Sequence, residues 1–156
     1  MSSGKKTTDL VIIPSGAFEV YGPHLPLGTD TLVANKIAGL VAERVNAIIG
    51  PVLEAGESSE LEDFPGTITI SSESFKQYLW DTLRSLEKWG FKDFLFVNTH
   101  LGNVPIINQI AFEFQRRPAS AVHKSTIGDL LRRTATALSN PASWHTLTPA
   151  KRERRL

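Results

Sequence analysis

Short apolar runs predict the strands of this chain. Residues 10–13 (LVII) are rich in β-branched side chains and are followed by Pro14, which is typical of a buried strand and its end. Residues 94–97 (FLFV) form a second compact run that we expect to be covered on both faces of a sheet. Residues 48–53 are a candidate strand that is weakened by a Gly-Pro pair, and the alternation of residues 67–70 predicts a short strand.

Longer stretches with apolar residues at helical spacing lie between these runs. They predict helices over residues 31–47, 73–88 and 104–116. Thr29 or Asp30 is suited to cap the first helix. The order strand, helix, strand, strand, helix, strand, helix predicts a three-layer α/β/α domain with a mainly parallel sheet.

Two polar turns, residues 14–30 and 98–103, each follow a predicted strand. In parallel sheets, ligands bind at the carboxyl ends of the strands, which lie at one common edge. We therefore expect the side chains of the two turns to converge there, although the turns are far apart in sequence.

The composition narrows the chemistry. A chain of 156 residues with 41% hydrophobic and 21% charged residues fits one folded domain. The absence of cysteine excludes disulfides, thiolate zinc sites and a cysteine nucleophile. The apolar run near the start is too short for a signal peptide or a membrane span, so we expect a cytoplasmic protein without a membrane partner.

Charge divides the chain into an acidic body and a basic tail. Residues 1–115 contain eight Lys or Arg and fourteen Asp or Glu, whereas residues 116–156 contain nine Lys or Arg and two acidic residues. We place the domain boundary between 1–116 and a tail at 117–156, with a helix around 126–138. A basic tail is compatible with nucleic-acid binding or with simple solvation. No recognisable nucleic-acid module is present, so no nucleic-acid partner is favoured.

The candidate site residues come from the two polar turns. Glu19, Asp30 and His100 are residue types that bind zinc, manganese or magnesium. The competing interpretation is that Asp30 only caps a helix, that Glu19 is solvated and that His100 lies in an ordinary helix-entry turn.

Two further polar residues accompany these candidates. His24 lies between two prolines, where it could be a ligand, a proton shuttle or simply an exposed side chain. Asn103 ends the second turn, and an amide there could orient water or a substrate carbonyl.

Three sequence boxes, found in the same order, resemble the creatininase family of metal-dependent amidohydrolases. The family pattern Gly-Ser-x-Glu-x-His-Gly-x-His-Leu-Pro, with Thr-Asp shortly after it, is similar to GAFEVYGPHLPLGTD at residues 16–30. A Phe-Pro-Gly-Thr box stands at residues 64–67, and Asn-x-His-x-x-Asn stands at residues 98–103. The resemblance covers the greater part of the chain, up to about residue 116.

The resemblance implies a hydrolase that uses one or two divalent ions, zinc or manganese, to activate water against a C–N bond. It implies that Glu19 is a metal ligand, Asp30 a bridging carboxylate and His100 a ligand from the second loop. His24 and Asn103 match site residues that would orient water or substrate. The expected substrate is a small cyclic or formyl amide, and the expected assembly is a homo-oligomer.

The chain also departs from the family pattern. Tyr21 stands where the family has a metal-binding histidine, and a phenol with a pKa of about 10 is a weak zinc ligand near neutral pH. Gly102 stands where some members have a carboxylate. The family's longer distal region has no counterpart that we can place on residues 117–156. An inactive or incomplete member with a non-enzymatic or oligomer-forming role is therefore the alternative to a hydrolase.

For the tail itself, two interpretations remain. Residues 118–156 are either a non-family segment that packs weakly against the body, or a replacement segment that completes the site. In the second case, His123 or His145 would supply the missing ligand.

Overall fold

The computed structural model describes residues 8–117 and 121–126 of the chain. In chain order, the elements are β1 (Leu10–Ser15), α1 (Thr29–Ala42), β2 (Ile48–Ile49), α2 (Ser72–Lys88), β3 (Asp93–Asn98), α3 (Val104–Gln115) and β4 (Ala121–Thr126). A short 3-10 turn covers Ser59–Leu61. None of the described helices combines the length and the apolar character that a membrane crossing would require.

The strands form one parallel sheet in the order β2-β1-β3-β4. The two inner strands, β1 and β3, are paired over six residues, and their last residues, Ser15 and Asn98, are partners in the register. The carboxyl ends of these strands therefore lie side by side, and the polar turns that follow them leave the sheet from the same edge.

Helices cover both faces of the sheet. Ile13, Phe94 and Phe96 are fully buried on the face that packs against α2 and α3. Ile12 and Val97 point to the opposite face and pack against α1. The alternation of side chains along β1 and β3 thus supplies two separate cores. The predicted three-layer α/β/α fold with a parallel sheet is confirmed.

Helix α2 follows the predicted pattern closely. Its buried residues, Phe75, Leu79 and Leu83, recur at helical spacing. The Ser71 hydroxyl accepts a hydrogen bond of 3.2 Å from the Ser74 N–H and so caps the first turn. Gly90, with a φ of 86°, follows the helix in the left-handed conformation that glycine tolerates best.

Strand β1 continues through Pro14, where the sequence predicted its end. The Pro14 carbonyl accepts a hydrogen bond from the Leu53 N–H, and the Gly16 N–H donates to the Leu53 carbonyl. Pro14 therefore faces the side of β1 where β2 has already ended at Ile49. Because regular pairing is interrupted at that point, the missing N–H of proline breaks no β1–β2 pair.

The strand predictions for residues 48–53 and 67–70 and one helix boundary were wrong in extent. Of residues 48–53, only the first two form a strand, and Leu53 adds an isolated bridge to β1. Residues 67–70 make isolated bridges to Phe18 and Gly56 instead of a strand of the sheet. Helix α1 ends at Ala42, earlier than the predicted residue 47.

Strand β4 lies beyond the predicted domain boundary at residue 116. It pairs with β3 over six residues, and Val122 is buried with the core of the α2–α3 face. It is the last strand of the sheet within the described residues, and its sequence, AVHKST, has little apolar character, which explains why the hydrophobic pattern missed it. Of the predicted helix at 126–138, residues 127–138 lie outside the described residues, as does His145.

Candidate metal centre

The first loop of the site is fixed at both ends. The Gly16 N–H is hydrogen-bonded to the Leu53 carbonyl, and a side chain at Gly16 would overlap the backbone of Thr31. The Glu19 N–H donates to the Leu27 carbonyl at 2.8 Å. Glu19 is consequently held under the loop, where its side chain is buried.

Asp30 lies in the first turn of α1 and does not cap it. The N-cap is Gly28, and no side chain caps the helix. The carboxylate of Asp30 instead contacts His100 and Tyr21, and the Asp30 carbonyl accepts a 2.7 Å hydrogen bond from the Thr99 hydroxyl. The interpretation of Asp30 as a simple helix cap was therefore wrong.

His100 is held between the two acidic side chains and a third loop. Its Nδ1 lies 3.0 Å from Oδ2 of Asp30 and 3.5 Å from Oε1 of Glu19. Its Nε2 lies 2.6 Å from the carbonyl oxygen of Glu57. A carbonyl can only accept, so Nε2 carries a proton, and Nδ1 is the atom presented to the carboxylates.

Glu19, Asp30 and His100 thus form a compact ligand set, which we call the acidic triad. One ligand atom from each residue lies within 4.8 Å of the others, and all three side chains are buried. Oε2 of Glu19 is buried and has no hydrogen-bond partner within the described part of the chain. Such an atom is costly to bury without a partner, and a divalent cation would supply one. The triad therefore fits a metal ion.

The two carboxylates of the triad favour a positive charge at His100 or on a bound metal ion. Burial by itself lowers the pKa of His100, but the hydrogen bonds to Asp30 and to the Glu57 carbonyl, with the charges of Glu19 and Asp30, raise it above its ordinary value. Without a metal ion, these contacts favour the protonated imidazole, whose positive charge would balance part of the negative charge of the triad. A metal ion would take over this role and displace the proton.

Tyr21 donates its hydroxyl hydrogen to Oδ1 of Asp30. Burial, the hydrogen bond to Asp30 and the charges of Asp30 and Glu19 all raise the pKa of Tyr21 well above its usual range. The phenol is therefore neutral near pH 7 and acts as a donor towards the acidic triad.

Asn103 joins three loops and is fully buried. Its Oδ1 accepts from the Glu57 N–H at 3.0 Å, and its Nδ2 donates to the Gly16 carbonyl at 2.8 Å and to the Ser15 hydroxyl at 3.2 Å. A side chain at Gly56 would overlap Oδ1 of Asn103. The amide is thus engaged with protein groups and fixes the loop whose carbonyl holds His100.

His24 lies apart from the acidic triad. It is exposed, and its ring lies against Gly22, which adopts a positive φ of 70°. The structure therefore brings Glu19, Asp30 and His100 together, with Asn103 behind them, and leaves His24 on the outside of the loop.

The loop after Leu53 was missed as a part of the site. It supplies the Glu57 carbonyl, and the Ser58 hydroxyl lies 3.4 Å from Nε2 of His100. Every residue has a carbonyl oxygen, so the residue types of the sequence could not reveal this role. The position of the loop in the sequence was the available signal, because this loop also follows a segment next to the carboxyl end of β1.

A cavity of about 480 Å³ opens over the acidic triad. Its polar lining includes Glu19, Tyr21, Glu57, Ser58 and His100. Asp30 lies behind this lining, in contact with both Tyr21 and His100. A small molecule or a short peptide segment in the cavity would therefore lie next to the candidate ligands.

Comparisons with known proteins identify the family of this chain and solved structures with the same fold. The profile of the Creatininase family, described as creatinine amidohydrolase, matches residues 2–154. The mycofactocin precursor peptide peptidase of Mycolicibacterium smegmatis is 41% identical over 101 residues, which cover 61% of this chain and 40% of that protein. The matched part of the chain therefore covers well under half the length of this relative.

Solved creatininase structures share the fold. A mutant creatininase of the Zn-Zn type aligns with a TM-score of 0.68 and 24% identity over 90% of this chain and 56% of its own. A creatininase designated Mn aligns with the same TM-score, identity and coverage. These neighbours contain the sheet and helices described above within a longer chain.

Proposed function

Because the chain belongs to the creatininase family, we propose that it is a hydrolase that uses a divalent metal ion held by Glu19, Asp30 and His100. The observation that carries this proposal is the buried acidic triad, whose ligand atoms lie within 4.8 Å of one another. Zinc and manganese are the ions to expect, since both accept carboxylate and imidazole ligands and both occur in the names of solved relatives.

Different groups of the protein would make different contributions to such a site. A bound ion would supply Lewis acidity towards water and towards a substrate carbonyl. The Glu57 carbonyl holds the Nε2–H of His100, which keeps Nδ1 directed at the carboxylates. The cavity over the triad, which Tyr21 and Ser58 help to line, would hold the substrate next to these ligands.

We assign Asn103 a positioning role in this site. Its amide binds the Glu57 N–H, and the Glu57 carbonyl in turn binds His100. Direct contact of Asn103 with substrate remains a prediction, as does a role for the exposed His24 in orienting water or substrate.

The proposed reaction is hydrolysis of an amide C–N bond. A small cyclic or formyl amide matches the size of the cavity. A peptide bond is the second substrate class to test, because a relative with 41% identity is named as a peptide peptidase. The two classes share one chemistry at the scissile carbonyl and differ in the space that the substrate needs outside the cavity.

The test is metal analysis of the purified chain combined with a hydrolysis assay on creatinine, formyl amides and short peptides. We expect stoichiometric zinc or manganese, and we expect Glu19→Gln to lose both the ion and the turnover. Glu43→Gln, which changes an exposed carboxylate at the end of α1, is the matched control and should retain both. A wild-type chain without bound ion, or full metal content in Glu19→Gln, would contradict the proposal.

A second candidate is a family member without catalytic activity. The observation that favours it is Tyr21, which contacts Asp30 of the triad as a neutral hydrogen-bond donor. Metal binding without turnover of any amide tested would support this candidate over the hydrolase.

Homo-oligomeric assembly and a cytoplasmic location are also proposed from family membership. Light scattering coupled to size-exclusion chromatography tests the first, and fractionation of cells that express the chain tests the second.

A further inference from the structure

The two carboxylate oxygens of Asp30 have different partners. Oδ2 lies 3.0 Å from Nδ1 of His100 and belongs to the acidic triad. Oδ1 accepts the hydroxyl hydrogen of Tyr21. Asp30 is therefore occupied on one side by a neutral hydrogen-bond donor and directed on the other side at the candidate metal position.

The ligands for one ion all lie on the Oδ2 side. Nδ1 of His100 and Oε1 of Glu19 lie 3.5 Å apart there, and Oε2 of Glu19 is buried without a hydrogen-bond partner in the described region. One nitrogen and two carboxylates give the three protein ligands that a catalytic ion with an open position needs. Residues 8–117 and 121–126 contain no other group of three such side chains around Oδ1 of Asp30.

We propose that Tyr21 restricts this site to one divalent ion per chain, because its hydroxyl group occupies the Asp30 oxygen that a second ion would require and offers that ion no good ligand in return. The inference rests on the proposed metal-dependent function and adds the number of ions and the role of Tyr21. Tyr21 is a positioning residue here: it fixes the Asp30 carboxylate and does not itself bind the metal.

The reason lies in the demands of a two-ion site. Such sites hold their ions about 3.5–4 Å apart, and a bridging carboxylate gives one oxygen to each ion. In this chain, a second ion at Oδ1 of Asp30 would have to displace the Tyr21 hydrogen. It would then find a neutral phenol oxygen, which is a poor metal ligand. A solved neighbour of the same fold is designated Zn-Zn type, so the inference concerns the residues around Asp30 in this chain and not the fold.

The first measurement is the number of ions. Metal-free wild-type protein is titrated with Zn²⁺ and, separately, with Mn²⁺ by isothermal calorimetry, and the loaded protein is analysed by mass spectrometry for metals after gel filtration. One ion per chain is the expected result. Two ions per chain would overturn the inference while leaving the proposed function intact. No bound ion would overturn both.

The second measurement separates positioning by Tyr21 from direct ligation. Tyr21→Phe removes only the hydroxyl group, and loss of such a supporting partner typically weakens metal binding about 10- to 100-fold. We expect the Kd of the first ion to rise by that factor, and we still expect one ion per chain because phenylalanine offers a second ion no ligand beside Oδ1 of Asp30. Tyr78→Phe is the matched control, because Tyr78 is the other tyrosine of the chain and is 47% exposed on α2. Its Kd should equal that of the wild type.

Other results for Tyr21→Phe would contradict the inference. An unchanged Kd would show that the hydroxyl does not fix Asp30. A complete loss of binding in a variant that is folded by circular dichroism would show that the phenol oxygen is itself a ligand. A phenolate charge-transfer band in the Cu²⁺-loaded wild type that is absent from Tyr21→Phe would show the same.

Discussion

The α2–α3 face of the sheet and the carboxyl edge are both buried, but by different kinds of residue. On the α2–α3 face, Phe94, Phe114 and Trp80 meet edge to face, with ring centroids 5.5 and 5.7 Å apart. At the carboxyl edge, the buried residues are polar, and Asn98 and Asn103 are hardly exposed. One region is packed by apolar contact, and the other is held by directional hydrogen bonds.

The difference predicts which property of the protein each region mainly determines. Apolar burial contributes to the free energy of unfolding roughly in proportion to the area removed from water. Buried hydrogen bonds contribute little net free energy but are costly to break, and they fix the direction of side chains. We therefore expect changes on the α2–α3 face to alter stability and changes at the edge to alter metal binding.

The largest effect is expected from Phe114→Ala. Phe114 is fully buried and contacts Trp80 and Phe94, so its removal leaves a cavity and ends two aromatic contacts. The free energy of unfolding should fall by about 3–5 kcal/mol. Urea unfolding followed by circular dichroism measures this change. The Kd for metal in the folded fraction should remain that of the wild type.

The control for this prediction is Phe112→Ala in the same helix. Phe112 is 65% exposed, so removing it should change the free energy of unfolding by less than about 1 kcal/mol. Equal losses in the two variants, or a large change of metal affinity in Phe114→Ala, would remove the distinction between the two regions.

A smaller change of stability, with a clear effect on metal binding, is expected from Gly102→Ala. A methyl group at Gly102 would overlap the Glu57 carbonyl oxygen and lie 2.7 Å from Nε2 of His100. It would push apart the two groups whose hydrogen bond orients the imidazole. The free energy of unfolding should fall by about 1–3 kcal/mol, as in other overpacked sites. The Kd for metal should rise at least about 10-fold, as measured by calorimetry.

Gly39→Ala is the matched control. Nothing lies within 4 Å of a side chain placed at Gly39, which is in α1, so alanine should stabilise the helix by up to about 1 kcal/mol. Unchanged metal affinity in Gly102→Ala would mean that the Glu57 carbonyl does not orient His100.

The two regions also differed in how far the sequence could predict them. The periodicity of residues 73–88 and the apolar run at 94–97 predicted α2 and β3, because packing on a sheet demands such patterns. β4 was missed because its sequence contains few apolar residues. The end of β1 was placed too early because the missing N–H of Pro14 falls where pairing with β2 is interrupted.

At the carboxyl edge, the sequence predicted the ligand residues but not the contacts that position them. Glu19, Asp30 and His100 were selected because they are ligand types that follow strand ends, and the structure brings them together. The Glu57 carbonyl had no such signature, since every residue has one. The hydrogen bond from Tyr21 to Asp30 depends on the path of the loop, which local sequence preferences do not determine.

The smallest effect is expected from pH, because one proton of His100 is involved. In metal-free protein, the pKa of His100 lies above its ordinary value of 6.5, so the protonated form stabilises the fold. This stabilisation is complete below about pH 6.5 and is lost as the pH rises through the raised pKa, with a slope of at most about 1.4 kcal/mol per pH unit. Metal ions compete with the same proton, so metal affinity should increase over that window.

Urea unfolding of chelator-treated protein between pH 6 and 9 measures this slope. His100→Gln should remove the part of the slope that comes from His100, whereas His24→Gln, which changes an exposed histidine, should leave it unchanged. If the wild type and His100→Gln gave the same pH dependence, the imidazole would not carry the compensating charge of the triad. Packing, and not charge, would then hold the residues of the polar edge in place, as it does on the α2–α3 face.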